Sequence, residues 1–216
     1  MSLCLSDNQN KIIIHFLKIC IMKLSKSTIG IIAAVVVVVM WAASAYNSMV
    51  GEQEKATTAF ANVQSAYQRR ADLIPNLVEV VKGYASHEKE TFEAVVNARA
   101  KATQMTIDPS NMTPEKMKEF QQAQGELGSA LGRLLAVQEN YPELKANENF
   151  RDLQVQLEGT ENRINEARNT FNGVVQNYNI YIRKFPKNII AGIFGFNTMD
   201  KFQADADAQN APKVKF

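Results

Sequence analysis

Histidine and cysteine are nearly missing from this 216-residue chain. There are two of each, His15, His87, Cys4 and Cys20, and three of the four fall in the first twenty residues. A zinc site, a disulfide scaffold or a Cys/His nucleophile pair needs more such groups, placed elsewhere. An excess of one charge is missing as well: 24 Lys+Arg stand against 22 Asp+Glu, a formal net charge of +2. That balance excludes a nucleic-acid binder working by bulk charge, which would carry a strong basic excess or patch. Glycine-rich phosphate loops, G-x-S-x-G and H-E-x-x-H do not occur. No period-two run and no convincing hairpin turn is found, which argues against a sheet. These absences lead to the expectation of no enzyme, no cofactor and no metal. Disorder is excluded too, because apolar residues are 46% of the chain and charged residues 21%.

What the chain does have is one long apolar run, Ile29 to Ala45, with no charge and with Ser44 as its clearly polar member. About 17 helical residues reach roughly 25 Å, slightly less than a hydrocarbon core of about 30 Å. Trp41 and Tyr46 suit the lipid–water interface. A buried strand or core helix is the alternative, but a charge-free run of this length rarely packs inside a small domain. Lys11, Lys18, Lys23 and Lys26 precede the run against Asp7, while Glu52, Glu54 and Lys55 follow it. The cationic side stays in the cytoplasm, so the rest of the chain is expected outside it. Ala43-Ser44-Ala45 also matches a signal-peptide cleavage pattern, although the run is long for a signal-peptide core. The reading is therefore a retained anchor over 29–45, preceded by a basic cytoplasmic segment over 22–28. Residues 1–21 read as an over-extended or disordered leader, because Met22-Lys-Leu-Ser-Lys26 followed by the run is a complete export start.

From Tyr46 onward acidic and basic residues nearly balance and the apolar spacing is helical. Phe60, Val63, Tyr67, Ala71 and Ile74 recur at three and four, as do Met117, Phe120, Leu127, Leu131, Leu134 and Val137. A further series runs from Phe150 through Leu157, Ile164, Phe171, Val174, Tyr178 and Ile182 to Phe185. Such stripes are single apolar faces that need partners. Asp72 is a possible cap and Pro75 lacks an N–H, which predicts a turn or sharp kink at Asp72–Pro75. Thr113-Pro114-Glu115 is a helix start, Asn147 or Asn149 can cap the last long helix, and Phe185-Pro186 ends it. Helices are expected at roughly 47–71, 75–105, 114–139 and 148–184. Short connections favour antiparallel neighbours, so the fold class is all-α: an antiparallel up-and-down four-helix bundle after one N-terminal transmembrane helix. The bundle domain is placed at 46–202, with a short apolar segment at 187–196 that either docks on the bundle or enters a lipid interface. Residues 203–216 read as a disordered tail. Gly125, Gly128 and Gly132 make a flat face on the third helix, for close intramolecular packing or for a helix–helix or self-association groove.

Several dense motifs, in order, resemble the LemA family. They are Tyr46-Asn47, Arg69-Arg70-Ala-Asp72-Leu-Ile-Pro75-Asn76, Val81-Lys-Gly-Tyr84 with His87-Glu88, Tyr141-Pro142-Glu143-Leu144, Asn162-Arg163-Ile164, Phe171-Asn172, Tyr178-Asn179, Phe185-Pro186 and Phe194-Gly195-Phe196. The likeness covers nearly everything from Met22 to about Phe202; Phe171 stands where the family pattern favours Tyr. It implies a bacterial single-pass membrane protein with a helical-bundle domain and no established biochemical activity. Some family members are described with the bundle on the cytoplasmic side, against the charge reading made above.

The candidate partner-binding or structural residues form four groups. Arg69, Arg70, Asp72 and Pro75 read either as an anion- or partner-binding corner or as an interhelix ion pair fixing a turn. Glu161 and Arg168, seven residues apart on one helical face, read as a partly buried polar layer that sets bundle register, in preference to a catalytic dyad. Asn172 and Asn179, with Asn177, either bridge helices or face water, and Phe194 and Phe196 mark the apolar C-terminal segment. His87, without a second histidine in the domain, reads as a surface residue. The functional expectation is a non-enzymatic, membrane-tethered scaffold of the cell envelope. Lipid would be met through the anchor, an envelope protein would be the partner, self-association is allowed and nucleic acid is excluded. Membrane shaping is the alternative, and an enzyme with a carboxylate site in the bundle the third.

Overall fold

The computed structural model describes residues 25–105, 107 and 112–203. The leader 1–21, the cysteines, part of the basic segment and the tail beyond 203 lie outside these residues. Among the described residues every regular element is helical and none is a strand. The elements are α1 (Lys26–Tyr84), α2 (Lys89–Gln104), α3 (Pro114–Ala136) continued by a 3-10 turn (Val137–Glu139), α4 (Pro142–Ala146), α5 (Glu148–Arg183) and α6 (Lys187–Phe194). Two compact units divide the chain, residues 1–48 and 49–216. In the first, the side chains of Ile31 and of Val35 to Trp41 are all more than 40% exposed. Of the most apolar 18-residue stretch, with mean hydropathy 2.4, only 6% is buried. A core helix would be mostly covered, so this stretch is compatible with a single-pass membrane anchor.

The helix ends follow from local chemistry. Thr113 Oγ1 accepts the Lys116 N–H at 3.3 Å, Pro114 takes the first helical position and Glu115 lies in the first turn of α3. Asn147 Oδ1 accepts the Phe150 N–H at 2.9 Å and starts α5. Gly195, with φ +76°, stops α6, and the Phe196 N–H returns to the Ala191 carbonyl at 2.9 Å. A left-handed residue followed by such a back-bond is how many helices close.

Pro75 does not turn the chain. Helix α1 runs through it without interruption, and the break comes later, at 85–88, between α1 and α2. Proline at 75 leaves the carbonyl four residues back, on Ala71, without its helical donor. Arg99 of α2 fills that role, donating Nε to the Ala71 oxygen at 2.9 Å. A tertiary hydrogen bond thus replaces the lost helical one, which corrects the expected turn and the expected 75–105 helix.

Two apolar clusters form the core of the second unit. One gathers Phe60, Val63, Tyr67, Met117, Phe120, Ile164, Phe171, Val175 and Phe202. The other gathers Ile74, Leu77, Val81, Phe92, Val95, Leu127, Leu131, Leu134, Phe150 and Leu157. Helices α1, α3 and α5 each contribute to both, and α2 to the second. Close packing does not account for the glycines of α3. A Cβ at Gly125 or Gly132 would meet nothing within 4 Å, and one at Gly128 would meet only Arg70 Nη1, at 3.9 Å.

Candidate functional site

Between the two apolar clusters lies a polar layer. Arg70 follows Tyr67 by one turn and precedes Ile74 by one turn on α1, Gln124 sits likewise between Phe120 and Leu127 on α3, and Glu161 between Leu157 and Ile164 on α5. Arg70 is buried, at 4% exposure. Its Nη1 donates to Glu161 Oε1 at 2.9 Å. Its Nη2 donates to the Gln124 side-chain oxygen at 2.6 Å and to the Gln124 carbonyl at 3.1 Å. The guanidinium carbon stands 5.0 Å from the Tyr67 ring centroid. Arg70 Nε is buried with no hydrogen-bond partner. A buried cation needs this much company, because desolvating it alone costs several kcal/mol (about 3–5 when one partner of a buried pair is removed). Glu161 keeps a wet face, its side chain 42% exposed, so it retains part of its hydration.

The residues expected to act together separate. Arg69, Asp72 and Pro75 are exposed, while Arg70 alone of that corner turns inward. Asp72 caps nothing; it accepts from Gln68 Nε2 at 2.8 Å along the same helix. Because α1 does not restart there, no free helix N–H groups are available for an anion. Glu161 and Arg168 line one open cleft of about 390 Å³, with Arg70, Gln124 and Gly128, but they serve different partners. Arg168 donates Nη2 to the Gln203 carbonyl at 3.0 Å and lies 5.0 Å from the Phe202 ring centroid. Gln124 was missed in the sequence, although its place inside the Phe120–Leu127–Leu131 stripe marks a polar residue on a buried face.

Asn172 and Asn179 do something different from bridging helices. Asn179 Nδ2 donates to the Met199 carbonyl at 2.8 Å while its Oδ1 accepts the Met199 N–H at 2.9 Å. Asn172 repeats the pattern on Phe202, at 3.1 and 2.8 Å. Each amide thus exchanges two bonds with one residue, as opposed residues do in a strand pair. The spacing explains why. Seven helical residues advance about 10.5 Å, and three residues of nearly extended chain cover about 10 Å. Tyr178 adds a third hold, its hydroxyl donating to the Asn197 carbonyl at 2.9 Å, and burial pushes that phenol's pKa up. The segment 197–203 is therefore strapped along α5, and it delivers the buried Phe202 ring to Phe60, Phe120 and Phe171 at 6.3, 6.5 and 5.4 Å.

The apolar segment at 187–196 divides by face. Ile190 and Ala191 are buried, whereas Ile189, Ile193 and Phe194 are exposed. Phe196 is half-buried and His87 is exposed. Among the described residues no group of three or more His, Cys, Asp and Glu side chains is placed to hold a metal. The buried polar groups of the layer and the strap bond mainly to one another and to the backbone.

Fold and site together define an all-helical protein with an exposed apolar N-terminal helix segment and an internally bonded polar layer. The LemA family profile matches residues 59–216, and the chain belongs to that family. It is similar to Magnetosome protein MamQ 2 of Paramagnetospirillum magneticum, 29% identical over 175 residues, which are 73% of this chain and 64% of the relative. Magnetosome protein MamQ of Magnetospirillum gryphiswaldense is 28% identical over 174 residues, again 73% and 64%. Protein LemA of Metamycoplasma hominis is 24% identical over 158 residues, 73% of this chain and 68% of that protein. The chain thus spans a little under two thirds of the length of the MamQ relatives it matches. The family and its relatives carry names that denote no enzymatic activity.

Proposed function

We propose that this chain is a non-enzymatic, membrane-tethered interaction protein of the bacterial cell envelope. The apolar run 29–45 stays in the membrane as a single-pass anchor. The second unit, an antiparallel helical bundle on the non-cytoplasmic side, works by binding a protein partner. The observation that carries this reading is the run itself: its apolar side chains are exposed where a core helix would be covered. Lysines before the run and glutamates after it support the outward placement. The bonding of Arg70, Gln124, Glu161, Asn172 and Asn179 supports a structural role for them, leaving surface contact as the means of action. Relatives named as magnetosome proteins support a place in cell organisation over substrate turnover.

Crosslinking in intact membranes, with mass spectrometry of the adducts, tests the proposal. The expected result is a reproducible envelope protein joined to residues of the second unit, with or without a second copy of the chain. Turnover of a substrate by the purified protein, or a monomer with no specific neighbour, would overturn it.

A further inference from the structure

We propose that the exposed face of α6, together with Phe185, docks on the headgroup region of an anionic phospholipid bilayer, the same one that holds the anchor. The inference rests on the tether of the preceding reading and is independent of any protein partner.

Ile189 and Ile193 are one helical turn apart, 55% and 72% exposed, and Phe185 just before the helix is 81% exposed. On the other side Ile190 and Ala191 are buried, so the short helix is already held by the domain with its second apolar side turned outward. Singly exposed apolar residues are ordinary, but two large ones a turn apart on one short helix, with a third just before it, are a surface in search of cover.

Charge identifies the cover. Between Glu166 and Asp200 the chain contains four basic residues, Arg168, Arg183, Lys184 and Lys187, and no acidic one. Arg183 and Lys184 are exposed immediately beside Phe185. Apolar side chains flanked by cations, on a stretch of chain without an acidic residue, match the boundary where acyl chains meet negative headgroups. A bilayer is also within reach. Phe194 to Met199 line a cleft with Val50 and Gln53 of the same unit. Val50 follows the end of the apolar run by five residues, and five residues of chain extend to at most about 18 Å in any conformation.

The test uses the full chain in lipid vesicles that carry a photoactivatable diazirine on the acyl chain, with adducts mapped by mass spectrometry. Adducts in 29–45 report the tether and adducts in 183–194 report the docking. We expect both in vesicles containing phosphatidylglycerol, with the second set weakened in pure phosphatidylcholine and at high salt. Ile189→Ser with Ile193→Ser should reduce the second set by more than about tenfold, as expected on withdrawing two buried apolar side chains, and leave the first set unchanged. Arg183→Gln with Lys184→Gln should remove the dependence on phosphatidylglycerol. Labelling of 29–45 alone would overturn the docking and spare the tether; labelling of neither would overturn both. Crosslinks from 183–194 to a second copy without lipid adducts would show a protein interface in its place.

Discussion

Arg99 is half-buried on α2, between the buried Val95 and Ala102, and it holds the carbonyl that Pro75 leaves unpaired on α1. Arg99→Ala should therefore cost about 1–3 kcal/mol in denaturant unfolding, because the Ala71 oxygen loses its donor. Pro75→Ala restores a helical N–H to the same oxygen, so in that background the cost should fall below about 1 kcal/mol; a cycle showing simple additivity would refute the compensation. The rule that proline breaks helices was legible at 75, and so was its outcome in an isolated helix. What reversed it was an arginine 24 positions away, a non-local partner that no local pattern announces. The same holds for Arg70. Its stripe position was readable, but not that Gln124 and Glu161 would share its level, since register between helices is set by packing. Glu161→Ala should destabilise by about 1–3 kcal/mol, below the full cost of an orphaned buried cation, because Gln124 and Tyr67 stay beside the guanidinium.

Among the elements, α3 and α5 begin where their capping residues stand; the first start could be read from Thr113-Pro114, and the second was narrowed to Asn147 or Asn149, of which the structure uses Asn147. The strap over 197–203 could not, because it lacks periodicity; its one trace was a surplus of asparagine with 172 and 179 seven apart. Asn172→Ala should raise amide exchange at Phe202, and Asn179→Ala at Met199, by about tenfold or more each, since two hydrogen bonds vanish with every amide. Unchanged protection would mean that the amides do not hold the segment. Tyr178 ties the strap to pH. Its raised pKa favours the neutral phenol in the folded chain. That contribution is complete below the ordinary phenol range near pH 10 and is lost as pH rises through the raised folded value. Tm should fall in that alkaline window, and Tyr178→Phe should flatten the dependence at the expense of the bond to Asn197.

For the whole molecule, helical class and an apolar N-terminal stretch were plain in the sequence, because both rest on patterns many residues long. A buried-face pattern tells which side chains go inside but not which helix covers them, and the proposed membrane side rests on charge bias alone. External protease acting on spheroplasts should accordingly degrade the second unit; its full protection there would place it in the cytoplasm. The tether is tested most directly by intact-mass measurement of the native protein, recovered from membranes washed with high salt and alkaline carbonate. The account predicts a membrane-retained species whose mass includes residues 29–45. A species beginning at Tyr46 and released into the wash would contradict it.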